Sequence, residues 1–262
     1  MQSLLFASGG IGFIFAMTSL GAASVLFFRR AAPEKFQQVC LGFAAGVMTA
    51  ASVWSLLLPA IEEAESRGLA GWIPASCGFA LGVLFLLGLD LLIPHLHPLT
   101  GTKGGLASAS KRTTLLIFAV TLHNIPEGMA VGLAFALAAQ HGDPALRAAA
   151  IALAVGIGIQ NVPEGAAISL PLRQEGMPPA RAFLLGCLSG AVEPLFGFLA
   201  VLLAAWIAPA MPWLLSFAAG AMIYVVVEEL VPEAHLGRHS HAGTLSVVVG
   251  FLVMMVLDVA LG

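Results

Sequence analysis

Eight stretches of this chain are apolar over a length that crosses about 30 Å of hydrocarbon. They lie near residues 2–28, 36–62, 72–93, 113–139, 148–170, 181–207, 211–232 and 243–261. Inside lipid no water satisfies backbone N–H and C=O groups, so spans of this length fold as helices that close their own hydrogen bonds. Only 10% of residues are charged and 59% are hydrophobic, whereas a soluble domain is about a quarter charged. The expectation is an all-α, polytopic membrane protein with eight transmembrane helices in a single domain over residues 1–262. Its first partner is the lipid bilayer, and no nucleic-acid partner is expected. Cys40, Cys77 and Cys187 lie in or beside apolar stretches without a CxxC pair, which argues against a disulfide scaffold or a thiolate zinc site. The first run lacks a basic leader and is followed by Arg29 and Arg30, so it reads as a retained helix.

Basic residues set the orientation. The loops after spans 1, 3, 5 and 7 hold Arg29, Arg30, Lys35, Lys103, Lys111, Arg112, Arg173, Arg181 and Arg238, while the alternate loops hold only Arg67 and Arg147. That asymmetry puts the odd-numbered loops in the cytoplasm and both termini outside.

Three sequence echoes relate the spans. Phe43-Ala44-Ala45-Gly46-Val47-Met48 in span 2 returns as Phe217-Ala218-Ala219-Gly220-Ala221-Met222 in span 7. Gly82 and Asp90 in span 3 match Gly250 and Asp258 in span 8 at the same spacing. His123-Asn124-Ile125-Pro126-Glu127 in span 4 parallels Gln160-Asn161-Val162-Pro163-Glu164 in span 5, each followed by glycine. Every pair joins an even span to an odd one, so its members cross in opposite directions. The simplest account is an inverted repeat, spans 1–3 against 6–8 with 4 and 5 as a central related pair, the usual basis of alternating access. Small-residue helix packing alone could generate the FAAG match, but the three echoes together favour the repeat.

Carboxylates, amides and an imidazole are costly in hydrocarbon, so the two pentads mark a buried polar site. Residues three and four apart share a helix face, which aligns His123 and Asn124 with Glu127, and Gln160 and Asn161 with Glu164. Turned toward each other, these faces form a ligand set for a divalent cation, with the histidine leaning toward zinc, iron or manganese. Pro126 and Pro163 free the carbonyls of Leu122 and Ile159 and are expected to kink both helices. A third buried acid, Glu193, stands beside Pro194 in span 6. Three glutamates nearly balance two divalent ions. Neutral acids serving a proton or sodium relay, or purely structural hydrogen bonding, are the competing accounts. Glu62, Glu63 and Glu65, and Glu228 and Glu229, lie at span ends, where they either attract cations or are simply solvated. His95, His97, His235, His239 and His241 fall in cytoplasmic loops.

At these residues the chain resembles the ZIP family of zinc and iron permeases, in its bacterial GufA-like branch, over essentially its whole length. The resemblance implies import of Zn2+, with Cd2+, Fe2+ or Mn2+ as further substrates, into the cytoplasm across a bacterial inner membrane. It implies a two-ion centre of His123, Asn124, Glu127, Gln160, Asn161, Glu164 and Glu193, with Met48 as a thioether ligand. Spans 1, 4, 5 and 6 would move against 2, 3, 7 and 8. Many relatives carry histidine where this chain has Gln160 and Pro163, which loosens the expected zinc selectivity. A homodimer stays open. The chain has no HExxH and no soluble output domain, so an intramembrane metallohydrolase and a metal sensor rank below transport; a proton-coupled cation antiporter is the nearest rival.

Overall fold

The computed structural model describes residues 2–27, 34–92, 106–174, 176–234 and 241–261. Among these residues all regular structure is helical: α1 (Gln2–Phe27), α2 (Glu34–Ala51), α3 (Leu58–Ser66), α4 (Trp72–Leu92), α5 (Leu106–His141), α6 (Pro144–Gln174), α7 (Pro179–Gly190), α8 (Val192–Ile207), α9 (Met211–Val225), α10 (Val231–Ala234) and α11 (Ala242–Leu261). Among the described residues, six segments are long and apolar enough to cross a membrane: Leu5–Phe27, Gln38–Ser66, Pro144–Leu170, Pro179–Ala204, Ala208–Leu230 and Ala242–Ala260. The other two expected crossings fall on α4, whose apolar part Trp72–Gly88 is shorter, and on α5, where the side chains from 106 to 120 lie outside the described residues. The architecture is thus an all-α, multi-pass membrane protein with six crossings defined by length and hydropathy.

Two spans expected to be regular α-helix are not. A π-helical turn, Ser52–Leu57, joins α2 to α3, and a second, Val226–Leu230, joins α9 to α10. Each opens nine residues beyond the phenylalanine that begins the repeated FAAG stretch. In the first, Thr49 and Ser52 donate their hydroxyls back to the carbonyls of Ala45 and Met48 at 2.6 and 2.7 Å, competing with the regular ladder. Span 6 is interrupted as well, since α7 ends at Gly190 and α8 begins after Ala191. Pro194, lacking an N–H, is tolerated in the first turn of α8. By contrast α5 and α6 stay helical through Pro126 and Pro163.

Helix association in lipid depends on close packing rather than on a hydrophobic force, so small residues decide which backbones meet. A Cβ built on Gly46 of α2 would lie 2.0 Å from the Val247 carbonyl oxygen of α11, and one on Gly250 of α11 would lie 2.1 Å from that of Phe43. The same reciprocity joins α9 to α4, where Gly220 faces Phe79 O and Gly82 faces Phe217 O, each at 2.1 Å. Two further pairs follow suit. Gly21 of α1 abuts Val162 of α6 while Gly165 abuts Thr18, and Gly128 and Gly132 of α5 abut Glu193 and Gly197 of α8. Gly156 of α6 is the described glycine that faces across these sets, and it meets the side chains of Met254 and Val47. Outside, the large apolar side chains of Leu5, Phe27, Leu202 and Trp206 are exposed.

Candidate metal centre

The polar site forms where α1, α5, α6 and the start of α8 converge. Asn124 and Glu127 come from α5, Gln160 and Asn161 from α6, and Glu193 from the first turn of α8; all are 0–1% exposed. A carboxylate in the first turn of a helix is favoured by the helix dipole. Gln160 Nε2 donates to Glu127 Oε1 at 2.7 Å, tying α6 to α5. Asn161 Nδ2 donates to Glu193 Oε2 and to Thr18 Oγ1, both at 3.0 Å, and Thr18 Oγ1 donates to Glu193 Oε1 at 2.8 Å. Asn124 Nδ2 donates to the Ser189 carbonyl at 3.1 Å, close to where α7 breaks from α8.

Each amide is therefore anchored by its nitrogen, and its oxygen is left over. Among the described residues, Asn124 Oδ1, Gln160 Oε1, Asn161 Oδ1 and Glu127 Oε2 are buried without a hydrogen-bond donor. A buried polar atom without a partner costs about 1–3 kcal/mol, so four such acceptors in one site constitute a demand for something positive. Glu164 is half-buried and lies close enough to Glu127 and Glu193 to act on both electrostatically.

Other expected members stand differently. His123 occupies α5 one turn before Glu127, and its side chain lies outside the described residues. Met48 is buried in the apolar core of α2 with Val47 and Ala51. Among the described residues no three His, Cys, Asp or Glu side chains gather tightly enough to hold a metal. Thr18 was missed by sequence reasoning. Its only signal is a hydroxyl three residues before Gly21 in span 1.

Two polar contacts lie outside this site. Glu63 is not a solvated mouth residue: its carboxylate accepts from Arg67 and meets His141 Nε2 at 2.7 Å, joining α3 to the end of α5. Ser55, in the first π turn, donates to Asp258 of α11 at 2.6 Å. Asp90, the echo of Asp258, has its side chain outside the described residues, as do His95, His97, His235 and His239; His241 is exposed.

A multi-pass helical protein that concentrates its buried polar groups between crossing helices has the make-up of a solute transporter. The ZIP Zinc transporter family profile matches residues 97–258. The chain is 38% identical to human Zinc transporter ZIP11 across 97% of its own length and 96% of that protein's. It is 43% identical to Zinc transporter ZIPB of Bordetella bronchiseptica, over 95% and 79% of the two chains. With Zinc transporter GufA of Myxococcus xanthus it shares 38% identity over 94% of each. The chain belongs to the ZIP family. Membership makes it a membrane transporter of divalent metals in the general sense, not an enzyme.

Proposed function

We propose that this chain imports Zn2+ into the cytoplasm by alternating access, with Cd2+, Fe2+ and Mn2+ as further substrates, through a two-ion site within the membrane. The observation that carries the reading is the set of four donorless buried oxygens on Asn124, Glu127, Gln160 and Asn161. Glu164 and Glu193 supply the remaining charge, His123 supplies the nitrogen, and Met48 is the thioether candidate. The site is rich in oxygen and poor in nitrogen, which suits a broad divalent range.

The transporter is an eight-span inverted repeat in one domain, with both termini outside a bacterial inner membrane. Support comes from the reciprocal glycine contacts: α2 meets α11 as α9 meets α4, and α1 meets α6 as α8 meets α5. That is the pattern obtained by exchanging spans 1–3 with 6–8 and span 4 with 5. The interior-negative potential favours entry of a divalent ion by about 4.6 kcal/mol per 100 mV.

Radiolabelled zinc and cadmium flux into liposomes tests the site. The parent chain should accumulate both, and Glu127→Ala with Glu164→Ala should abolish accumulation; unchanged flux in that double variant refutes the site. The buried carboxyl groups of Glu127 and Glu193 can also carry protons, which keeps proton-coupled antiport as a second reading. Strict dependence of flux on an imposed proton gradient would favour it.

A further inference from the structure

We infer that Thr18 is a positioning residue for Glu193, its hydroxyl releasing the carboxylate to an arriving cation by turning its proton back onto α1. This rests on the site proposed above. A hydroxyl carries one proton, and two acceptors lie within reach of this one: Glu193 Oε1 at 2.8 Å and the Ile14 carbonyl, one turn earlier, at 3.2 Å. Both distances hold at the same position of Oγ1. Exchange between them needs only rotation of the O–H bond, and donation to the carbonyl four residues back is an ordinary habit of threonine in helices.

Glu193 differs from its neighbours in what surrounds it. Glu127 keeps one oxygen without a donor, whereas both oxygens of Glu193 are occupied, one by Thr18 and one by Asn161. Each oxygen keeps a second lone pair, but a donor proton facing it repels an arriving cation, so Glu193 binds the cation more readily once a donor has turned away. Asn161 is the poorer candidate, because its Nδ2 is shared among Glu193, Thr18 and Ile14 O. Thr18 can leave without stranding its proton.

The packing holds the rest of the side chain still. Thr18 is fully buried, and its methyl fills a notch beside Gly190, where an added Cβ would lie 2.7 Å from Thr18 Cγ2. Gly165 presses on its carbonyl from α6. The hydroxyl position is thereby fixed while its proton is free to choose. Thr18 is also to α6 what Glu193 is to α5, the residue whose carbonyl receives the glycine following the pentad. One member of that related pair carries the charge, and the other regulates access to it.

The test uses the full-length chain, purified and stripped of metal, with Zn2+ affinity measured by competition against a chelating dye and uptake measured in liposomes. Thr18→Val keeps the shape and removes the competing donor. It should bind Zn2+ about tenfold tighter, the factor equivalent to about 1.4 kcal/mol, and should lower KM and Vmax together because release slows. Thr18→Ser should return both toward parental values. Should the valine variant misfold, Thr18→Ala provides the same comparison. Unchanged or weaker binding without the hydroxyl overturns the inference. Glu193→Gln separates the two layers. If it binds and transports Zn2+ like the parent, the site falls and this inference with it; if it weakens binding while Thr18→Val does not tighten it, only the inference falls.

Discussion

Gln160 on α6 donates its side-chain amide to Glu127 on α5 across 2.7 Å, within the membrane-embedded core. The amide N–H thus takes one of the two Glu127 oxygens, and position 160, glutamine where the first pentad has His123, is where the two pentads differ in donor chemistry.

Gln160→His should shift preference toward zinc. An imidazole nitrogen favours Zn2+ over Mn2+, while amide and carboxylate oxygens suit Mn2+. Competitive uptake of the two ions into liposomes should show the zinc-to-manganese ratio rising several-fold. A ratio that stays put removes position 160 from the determinants of preference.

His123→Ala should act in the reverse direction. It deletes the only imidazole proposed for the site, so zinc uptake should drop more than manganese uptake. Equal losses for both ions would mean that the histidine serves folding or gating instead.

The glycine contacts make a stability prediction. Gly46→Leu or Gly220→Leu drives a side chain into a facing backbone, which costs about 3 kcal/mol or more because the backbone cannot repack as a side chain can. The two should be similarly damaging, as expected of related positions. Gly12→Ala, with nothing within 4 Å of an added Cβ, should be neutral or up to about 1 kcal/mol stabilising through helix propensity. Thermal unfolding in detergent reads all three.

Glu63→Gln should lower stability by about 1–2 kcal/mol, since it weakens the contacts of a 4% exposed carboxylate with Arg67 and His141. Both partners remain partly exposed, which limits the loss. Glu62→Gln and Glu65→Gln, at exposed positions, should stay within about 0.5 kcal/mol of the parent. If all three behave alike, the Glu63 contacts contribute nothing measurable.

The pentads and the repeats were legible because each departs from its surroundings: a glutamate in an apolar run, or an eight-residue spacing met twice, stands out in one dimension. The π turns after the FAAG stretches left no such mark, since the hydropathy of Ser52–Leu57 and Val226–Leu230 is compatible with ordinary helix. Pro194 hinted at the interruption of span 6, yet Pro126 and Pro163 lie in helices that continue, so proline alone does not locate a break. Thr18 was invisible for a different reason. Threonine is common in membrane helices, where it satisfies itself on the preceding turn, and only the approach of α8 shows its second acceptor. Glu63 likewise gains its meaning from His141, 78 residues away.

The distribution of backbone contacts has a mechanical consequence. Between α1 and α6, α5 and α8, α2 and α11, and α4 and α9, the helices touch main chain to main chain, so relative displacement inside any of these pairs meets hard atoms. At Gly156 the α1–α6 pair meets the α2–α11 pair through the thioether of Met254 and a methyl of Val47 instead. Thioether chains adapt to a shifted neighbour at little cost. A small relative shift meets less resistance where only side chains touch than where main chain meets main chain, so the seam at Gly156 is the more compliant of the two kinds of contact.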